Sequence, residues 1–187
     1  MYGLINRSLK SMVLDHHGEA VWEKILHESG VPEDSFVSMR RYDDQVTYAL
    51  AGAAAKVLAV DLAACLEQFG LYWATVTARE SYGVLLDSTG GNLIEFLENI
   101  NSLHDRITST FIGYEPPYFD VNVDQNTVAL RYQSSRAGLT PFVVGVVKGM
   151  ACQFHCELSF QPVEMCAVDS GETSIIRFQI TDVAHDG

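Results

Sequence analysis

The hydrophobic period of this chain changes once, near Gly113, and that change constrains the fold more than any other feature. Upstream, apolar residues recur at helical spacing. Leu4, Ile5, Leu9, Met12 and Val13 mark a first helix that Asp15-His16-His17-Gly18 stops, and Glu19 to Ser29 a second, with Val21, Trp22, Ile25 and Leu26 inward and Gly30 beyond its end. Asp44 to Ala59 is Ala-rich and helical. Val60 to Ala78 carries Leu62, Leu66, Phe69, Trp73 and Val76 on one face. A short helix over Ser81 to Leu86 and a loop over Asp87 to Asn92 lead into a long helix from Leu93 to Phe111. Downstream the period is two. Strands are predicted around Val121 and Val123 and over Thr127 to Arg136, separated by the turn Asp124-Gln125-Asn126. Thr140 then caps a helix with Pro141 at its first position, running to about His155 and burying Val143, Val144 and Val147. Glu157 to Met165 and Thr173 to Ile180 form two last strands, joined by the turn at Val168 to Glu172. The fold class is α+β: one domain over 1–187, helical over about 1–112, with an antiparallel sheet of about four strands in about 113–187.

Composition removes whole classes of function. Hydrophobic residues make up 48% and charged residues 19%, enough for a packed core. Twelve Lys and Arg against 24 Asp and Glu leave a net charge of −12, which argues against binding nucleic acid or an anionic membrane. The most apolar stretch, Tyr48 to Leu66, is interrupted by Lys56 and Asp61, and the N-terminus lacks an export signal, so the chain reads as cytoplasmic. Cys65, Cys152, Cys156 and Cys166 then read as reduced thiols, without a zinc-ligand spacing among them. No nucleophile–base pair or phosphate loop is present, so the chain is not expected to be an enzyme. The alternative to a cofactor-binding role is a cofactor-free thiol switch or protein-interaction domain using Cys152 and Cys156.

Two constellations carry chemistry. At about 100° per residue, Leu93, Leu97, Ile100, His104, Ile107 and Phe111 share one narrow arc of their helix, which points His104 into an apolar interior. Such a site keeps the imidazole neutral and its lone pair free, as a haem iron requires. On this helix alone, a core histidine bonded to a backbone carbonyl is the simpler explanation. His16, His17, His27, His155 and His185 sit at helix ends, on exposed faces or near the C-terminus. In the second constellation, Tyr132, Ser134 and Arg136 face one side of a strand, continuing the row of Val128 and Leu130. An inward Arg needs an anion, and its fork suits a carboxylate; a strand end with a wet Arg136 explains the row equally well. Together, a core imidazole and a carboxylate clamp suit a ligand with a metal and two acid groups, namely haem b.

The chain strongly resembles the haem-nitric oxide/oxygen-binding (H-NOX) family, which includes the haem domain of soluble guanylate cyclase, and bacterial stand-alone members most of all. The stretches that carry the resemblance are MYGLIN, HHGEAVWE, VTYALAGAAAKVL, FGLYW, NSLHDR, YQSSR and GLTPFVVG. The resemblance implies His104 as axial iron ligand and Tyr132, Ser134 and Arg136 as holders of the haem propionates, with the haem between the helical and sheet-containing parts. It implies Pro117 as the proline that distorts the porphyrin and Ile5 as a residue packed on it. Oxygen-binding members carry a distal tyrosine early in the helix after the signature. Here Leu139-Thr140-Pro141-Phe142-Val143-Val144 has none, and Phe142 takes that place as an apolar wall. Leu9 offers no donor either. The exception is Trp73, which resembles a distal tryptophan of bacterial relatives and whose indole N–H is a donor; it is explained equally as core. The pocket is therefore expected to take nitric oxide and carbon monoxide and to exclude oxygen. The family's zinc set is matched only by Cys166, so no zinc is expected. Signalling is expected in trans, by release of His104 from iron, to a histidine kinase or cyclic-dinucleotide enzyme.

Overall fold

The computed structural model describes residues 1–32, 36–109 and 113–182. Phe111, placed above on the His104 arc, and His185 lie outside the described residues. Helix α1 (Gly3–His17) stops at Gly18, and α2 (Glu19–Ser29) at Gly30, which adopts the left-handed conformation at φ 64°. Asp43 caps α3 (Asp44–Leu58) by accepting from the Gln45 amide at 2.8 Å, and Asp61 caps α4 (Leu62–Tyr72) by accepting from the Ala63 amide at 2.9 Å. The single apolar stripe expected from Leu62 to Val76 is not kept. Leu62 is exposed, and α4 passes into a π-helical turn over Trp73–Thr77 before α5 (Ala78–Asp87). The wider turn changes the phase of every later side chain. Gln153 Nε2 donates to the Ala74 carbonyl within it at 2.7 Å, and the Thr77 and Ser8 hydroxyls meet at 2.6 Å, tying the turn to α1.

The long helix expected from Leu93 to Phe111 is two helices, α6 (Leu93–Glu98) and α7 (Ile100–Thr108). Asn92 opens α6 by accepting from the Glu95 amide, while the Glu95 carboxylate accepts from the Gly91 amide, both at 2.9 Å. The break is Asn99, at φ −95° and ψ 0°, whose side-chain amide donates to the Thr89 carbonyl at 3.0 Å.

Among the described residues the sheet is antiparallel, as expected, and its strands number five where about four were read from the sequence. β1 (Tyr118–Asp124) and β2 (Thr127–Ser134) form a hairpin; β5 (Glu172–Asp182) lies beside β2, and β3 (Cys156–Phe160) and β4 (Glu164–Cys166) pair with β5. The strand expected from Glu157 to Met165 is thus interrupted. Between Phe160↔Phe178 and Glu164↔Ile175 the register gains one residue on this edge, a bulge at Gln161-Pro162-Val163, where proline removes a donor. Helix α8 (Thr140–Gln153) ends two residues before His155, which adopts φ 55°.

Two apolar cores form. α1 to α4 enclose Leu9, Val13, Trp22, Ile25, Leu50 and Phe69. The second core joins α5 to α8 to one face of the sheet around Leu97, Leu130, Tyr132, Val147, Ile176 and Phe178. The cores therefore part within the π-helical turn, earlier than the change of period at Gly113, because α5 to α7 pack with the sheet. No single helix among the described residues is long and apolar enough to cross a membrane.

Candidate functional site

Between the two cores lies a cavity of about 290 Å³. Its lining includes Ile5 from α1, Trp73 from the π-helical turn, His104 from α7, Pro117 from the segment before β1, Tyr132 and Ser134 from β2, Arg136 beyond it and Phe142 from α8. The structure thus brings together all eight residues singled out in the sequence. Leu9 is not among the lining residues: it is fully buried inside the N-terminal core, so it does not bear on the cavity's polarity.

His104 is held by its neighbour three residues back on α7. The Asn101 side-chain amide donates to the Phe119 carbonyl at 2.7 Å and accepts from the Phe119 amide at 3.0 Å, which ties α7 to β1. The His104 ring then lies 5.9 Å from that of Phe119, and Phe119 lies 5.6 Å from Tyr132, its partner across the hairpin. His104 Nδ1 is buried and has no hydrogen bond of normal geometry. Burial depresses the ring's pKa; the Pro117 backbone and Asp105 oppose this without reversing it. The imidazole is consequently neutral over the physiological range. The simpler reading of the helix alone, a core histidine facing a backbone carbonyl, is met in part: the Pro117 backbone faces the ring at a geometry short of a normal hydrogen bond.

Strand alternation carries Tyr132 and Ser134 but stops short of Arg136, because β2 ends at Ser134. The Ser134 hydroxyl accepts from the Arg136 amide at 3.1 Å, a side-chain turn that redirects the chain and returns the guanidinium to the cavity. Arg136 Nε donates to Asp44 at 2.8 Å and Nη1 to the Glu115 carbonyl at 2.9 Å, so its inward charge already has one carboxylate. Tyr132 is buried, which pushes its phenol up to about 12 and keeps it a neutral donor.

The start of α8 is held from another strand. Thr140 does not cap the helix; it is the first helical residue, and Leu139 precedes it. Instead the buried Glu172 of β5 accepts from the Thr140 amide at 2.7 Å and also from the Thr140 hydroxyl and the Gly138 amide. This carboxylate sits where the helix dipole favours it and fixes the loop between Arg136 and Phe142. Further along, α8 lies directly on α4. A Cβ at Gly70 would stand 2.0 Å from the Phe142 carbonyl oxygen, and one at Gly145 would stand 1.9 Å from that of Glu67. That approach sets the Phe142 ring 5.1 Å from Phe69, with no hydroxyl on either ring.

A family model described as Haem-NO-binding matches residues 2–161. The chain belongs to the Haem-NO-binding, or H-NOX, family. Members of this gas-sensing family bind haem. Among curated relatives, soluble guanylate cyclase gcy-35 of Caenorhabditis elegans is 28% identical over 98% of this chain and 28% of its own length. Soluble guanylate cyclase gcy-34 of the same animal is 31% identical over 81% of this chain and 23% of its own. The chain therefore spans about a quarter of the length of these relatives. The H-NOX protein of S. oneidensis in the Fe(II)NO ligation state superposes with a TM-score of 0.85 at 19% identity, over 97% of this chain and 100% of that one. The Fe(II) unliganded H-NOX protein of K. algicida gives 0.82 at 22% identity, with both chains fully covered.

The residues present fit haem. The walls are largely apolar, a neutral imidazole lines them whose buried Nδ1 has no hydrogen bond of normal geometry, and hydroxyl and guanidinium donors gather where β2 ends. Sequence reasoning did not find Asp44, Asn101, Glu115 or Glu172. Each acts on a residue far away in the chain, and only the Asn101–Phe119 separation is short enough for local pattern to have suggested it. Of the thiols, Cys152 is exposed near the end of α8, while Cys156 lies on β3, past the helix on which the two would have shared a face.

Proposed function

We propose that this H-NOX chain is a haem-based sensor that takes nitric oxide and carbon monoxide at ferrous haem b and excludes oxygen. The single observation that carries the proposal is His104, an imidazole lining an apolar cavity whose burial disfavours its charged form and leaves it neutral. His104 is the iron ligand, and Tyr132, Ser134 and the remaining donors of Arg136 hold the acid arms of the porphyrin. Ile5 and Pro117 press on the macrocycle, and Trp73 and Phe142 stand on the gas-binding side. When bound, haem would supply an iron, held by His104, that accepts the gas.

The selectivity rests on hydrogen bonding. Bound oxygen draws electron density and is retained by a donor aimed at it, whereas nitric oxide needs none. Phe142 and Phe69 beside it have no donor to offer, so of the residues named on this side Trp73 alone carries one, and the exclusion of oxygen requires that its indole N–H be turned away from the gas. The output rests on α7. His104 stands on this helix, and the link from α7 to β1 through Asn101 and Phe119 would pass a shift of the helix directly into the sheet. The receiver is a signalling enzyme acting with this chain in trans, a histidine kinase or a cyclic-dinucleotide enzyme by family resemblance. Optical spectroscopy tests the proposal. The haem-loaded protein shows a Soret band that shifts with nitric oxide and carbon monoxide and is unmoved by air; absence of stoichiometric haem, or an air-induced shift of the ferrous form, contradicts it.

A further inference from the structure

Besides Arg136, one other guanidinium lines the cavity. Arg41 reaches it from the segment before α3, and among the described residues it makes no hydrogen bond and no ion pair. Its head rests on the turn at Gly113, where a Cβ would stand only 2.7 Å from Arg41 Nη1. Gly113 itself has φ 70°, so the chain provides a bare backbone seat under the guanidinium.

The charge balance at this mouth is uneven. Arg136 spends Nε on Asp44 and Nη1 on the Glu115 carbonyl, so it has one nitrogen left to offer. Glu115 lines the cavity as well, Glu172 is buried nearby against the loop after Arg136, and the chain as a whole carries −12. A porphyrin brings two carboxylates into this setting. The Met1 ammonium at this opening is engaged by Asp44 and the Arg136 guanidinium is partly engaged, whereas Arg41 has no ion-pair partner among the described residues.

We propose that Arg41 is a further carboxylate anchor, reaching an acid arm of the porphyrin from the N-terminal lobe beside the donors that Tyr132, Ser134 and Arg136 offer from the sheet lobe. This rests on the reading of the cavity as a haem site and adds to it a link between the two cores. The Arg41 segment carries the start of α1: the Gly3 amide donates to the Arg40 carbonyl at 2.9 Å, the Leu4 amide to Ser38 at 3.1 Å, and the Tyr42 amide to Met1 at 2.8 Å. Tyr2 and Arg41 form an isolated antiparallel bridge. A carboxylate on Arg41 therefore fixes the turn from which Ile5 projects, so the porphyrin edge positions the distal helix as well as the sheet.

The test uses the haem-loaded full chain and two readouts, the rate of haem transfer to excess apomyoglobin and the propionate-bending band in resonance Raman spectra. Because Arg41 is exposed, its contact is screened, and Arg41→Gln speeds haem loss about 2–5-fold. Arg41→Glu speeds it further, and Arg41→Lys retains part of the effect. All three shift the propionate band and leave the His104-dependent Soret position in place. Reconstitution with iron protoporphyrin dimethyl ester removes the difference between Arg41→Gln and the unaltered chain. Equal loss rates and an unmoved propionate band for Arg41→Gln and Arg41→Glu, beside a clear effect of Arg136→Gln, overturn the proposal. An unaltered chain that takes up no haem overturns the cavity reading itself, and the anchor with it.

Discussion

Glu172 makes the most demanding prediction, because a buried carboxylate is costly unless its hydrogen bonds offset the desolvation. Replacing Glu172 by Ala leaves the Gly138 and Thr140 amides without their acceptor, whereas the Thr140 hydroxyl keeps Ser174, 2.8 Å away. Two stranded donors at about 1–3 kcal/mol each give roughly 2–6 kcal/mol. Removing a desolvated charge returns part of that, so the net loss is about 3 kcal/mol. For a chain of this size each kcal/mol moves the midpoint by about 2–4 °C, so Tm falls by roughly 6–12 °C. Glu172→Gln keeps one acceptor oxygen and loses about half as much. Urea unfolding followed by far-ultraviolet circular dichroism, at matched haem content, measures both variants. A loss below about 1 kcal/mol for the Ala variant, or a Gln variant less stable than it, refutes the capping argument.

Three further predictions concern the cavity. Phe142→Tyr places a donor on the gas-binding side, and exposure of its ferrous form to air then shifts the Soret band; an unmoved band means that the ring does not face the gas. Arg136→Ala lowers haem retention about tenfold or more, since charge-assisted contacts contribute about 1.5–3 kcal/mol each, whereas Gln133→Ala leaves retention unchanged. Equal haem loss in the two variants removes the side-specific clamp. The pH dependence follows from burial of His104, which keeps its folded pKa below the usual 6.5. As pH falls through the unfolded value, the unfolded chain binds a proton that the folded one does not, so stability falls toward acid and levels off below the folded pKa. In the haem-free protein, His104→Gln has a shallower acid decline over about pH 7 to 5; identical slopes contradict the burial argument.

How far the sequence reveals this structure depends on the range of the interaction. Gly18 and Gly30 stop their helices where expected because a helix stop is a local event. The alternation of Val128, Leu130 and Tyr132 places three inward side chains correctly, for the same reason. Arg136 shows the limit. Its place follows from a serine turn that breaks the alternation, and its partner Asp44 comes from a distant helix. The π-helical turn after Tyr72 and the break at Asn99 leave an apolar pattern that resembles one continuous helix, so periodicity alone does not reveal either. Thr140 carries an N-cap residue type, yet the cap comes from Glu172 on a strand that pairs beside Ser134. Of the cavity residues, Tyr132, Ser134, Arg136 and His104 were legible in strand spacing and in a single imidazole on an apolar arc, whereas Ile5, Trp73, Pro117 and Phe142 came from the family resemblance alone.

The most direct measurement is the haem content and Soret spectrum of His104→Gly with and without added imidazole. The account predicts loss or loosening of haem in the variant and recovery of both content and spectrum when free imidazole fills the space. A variant that keeps full haem with an unaltered spectrum, indifferent to imidazole, contradicts the assignment of His104 as the iron ligand.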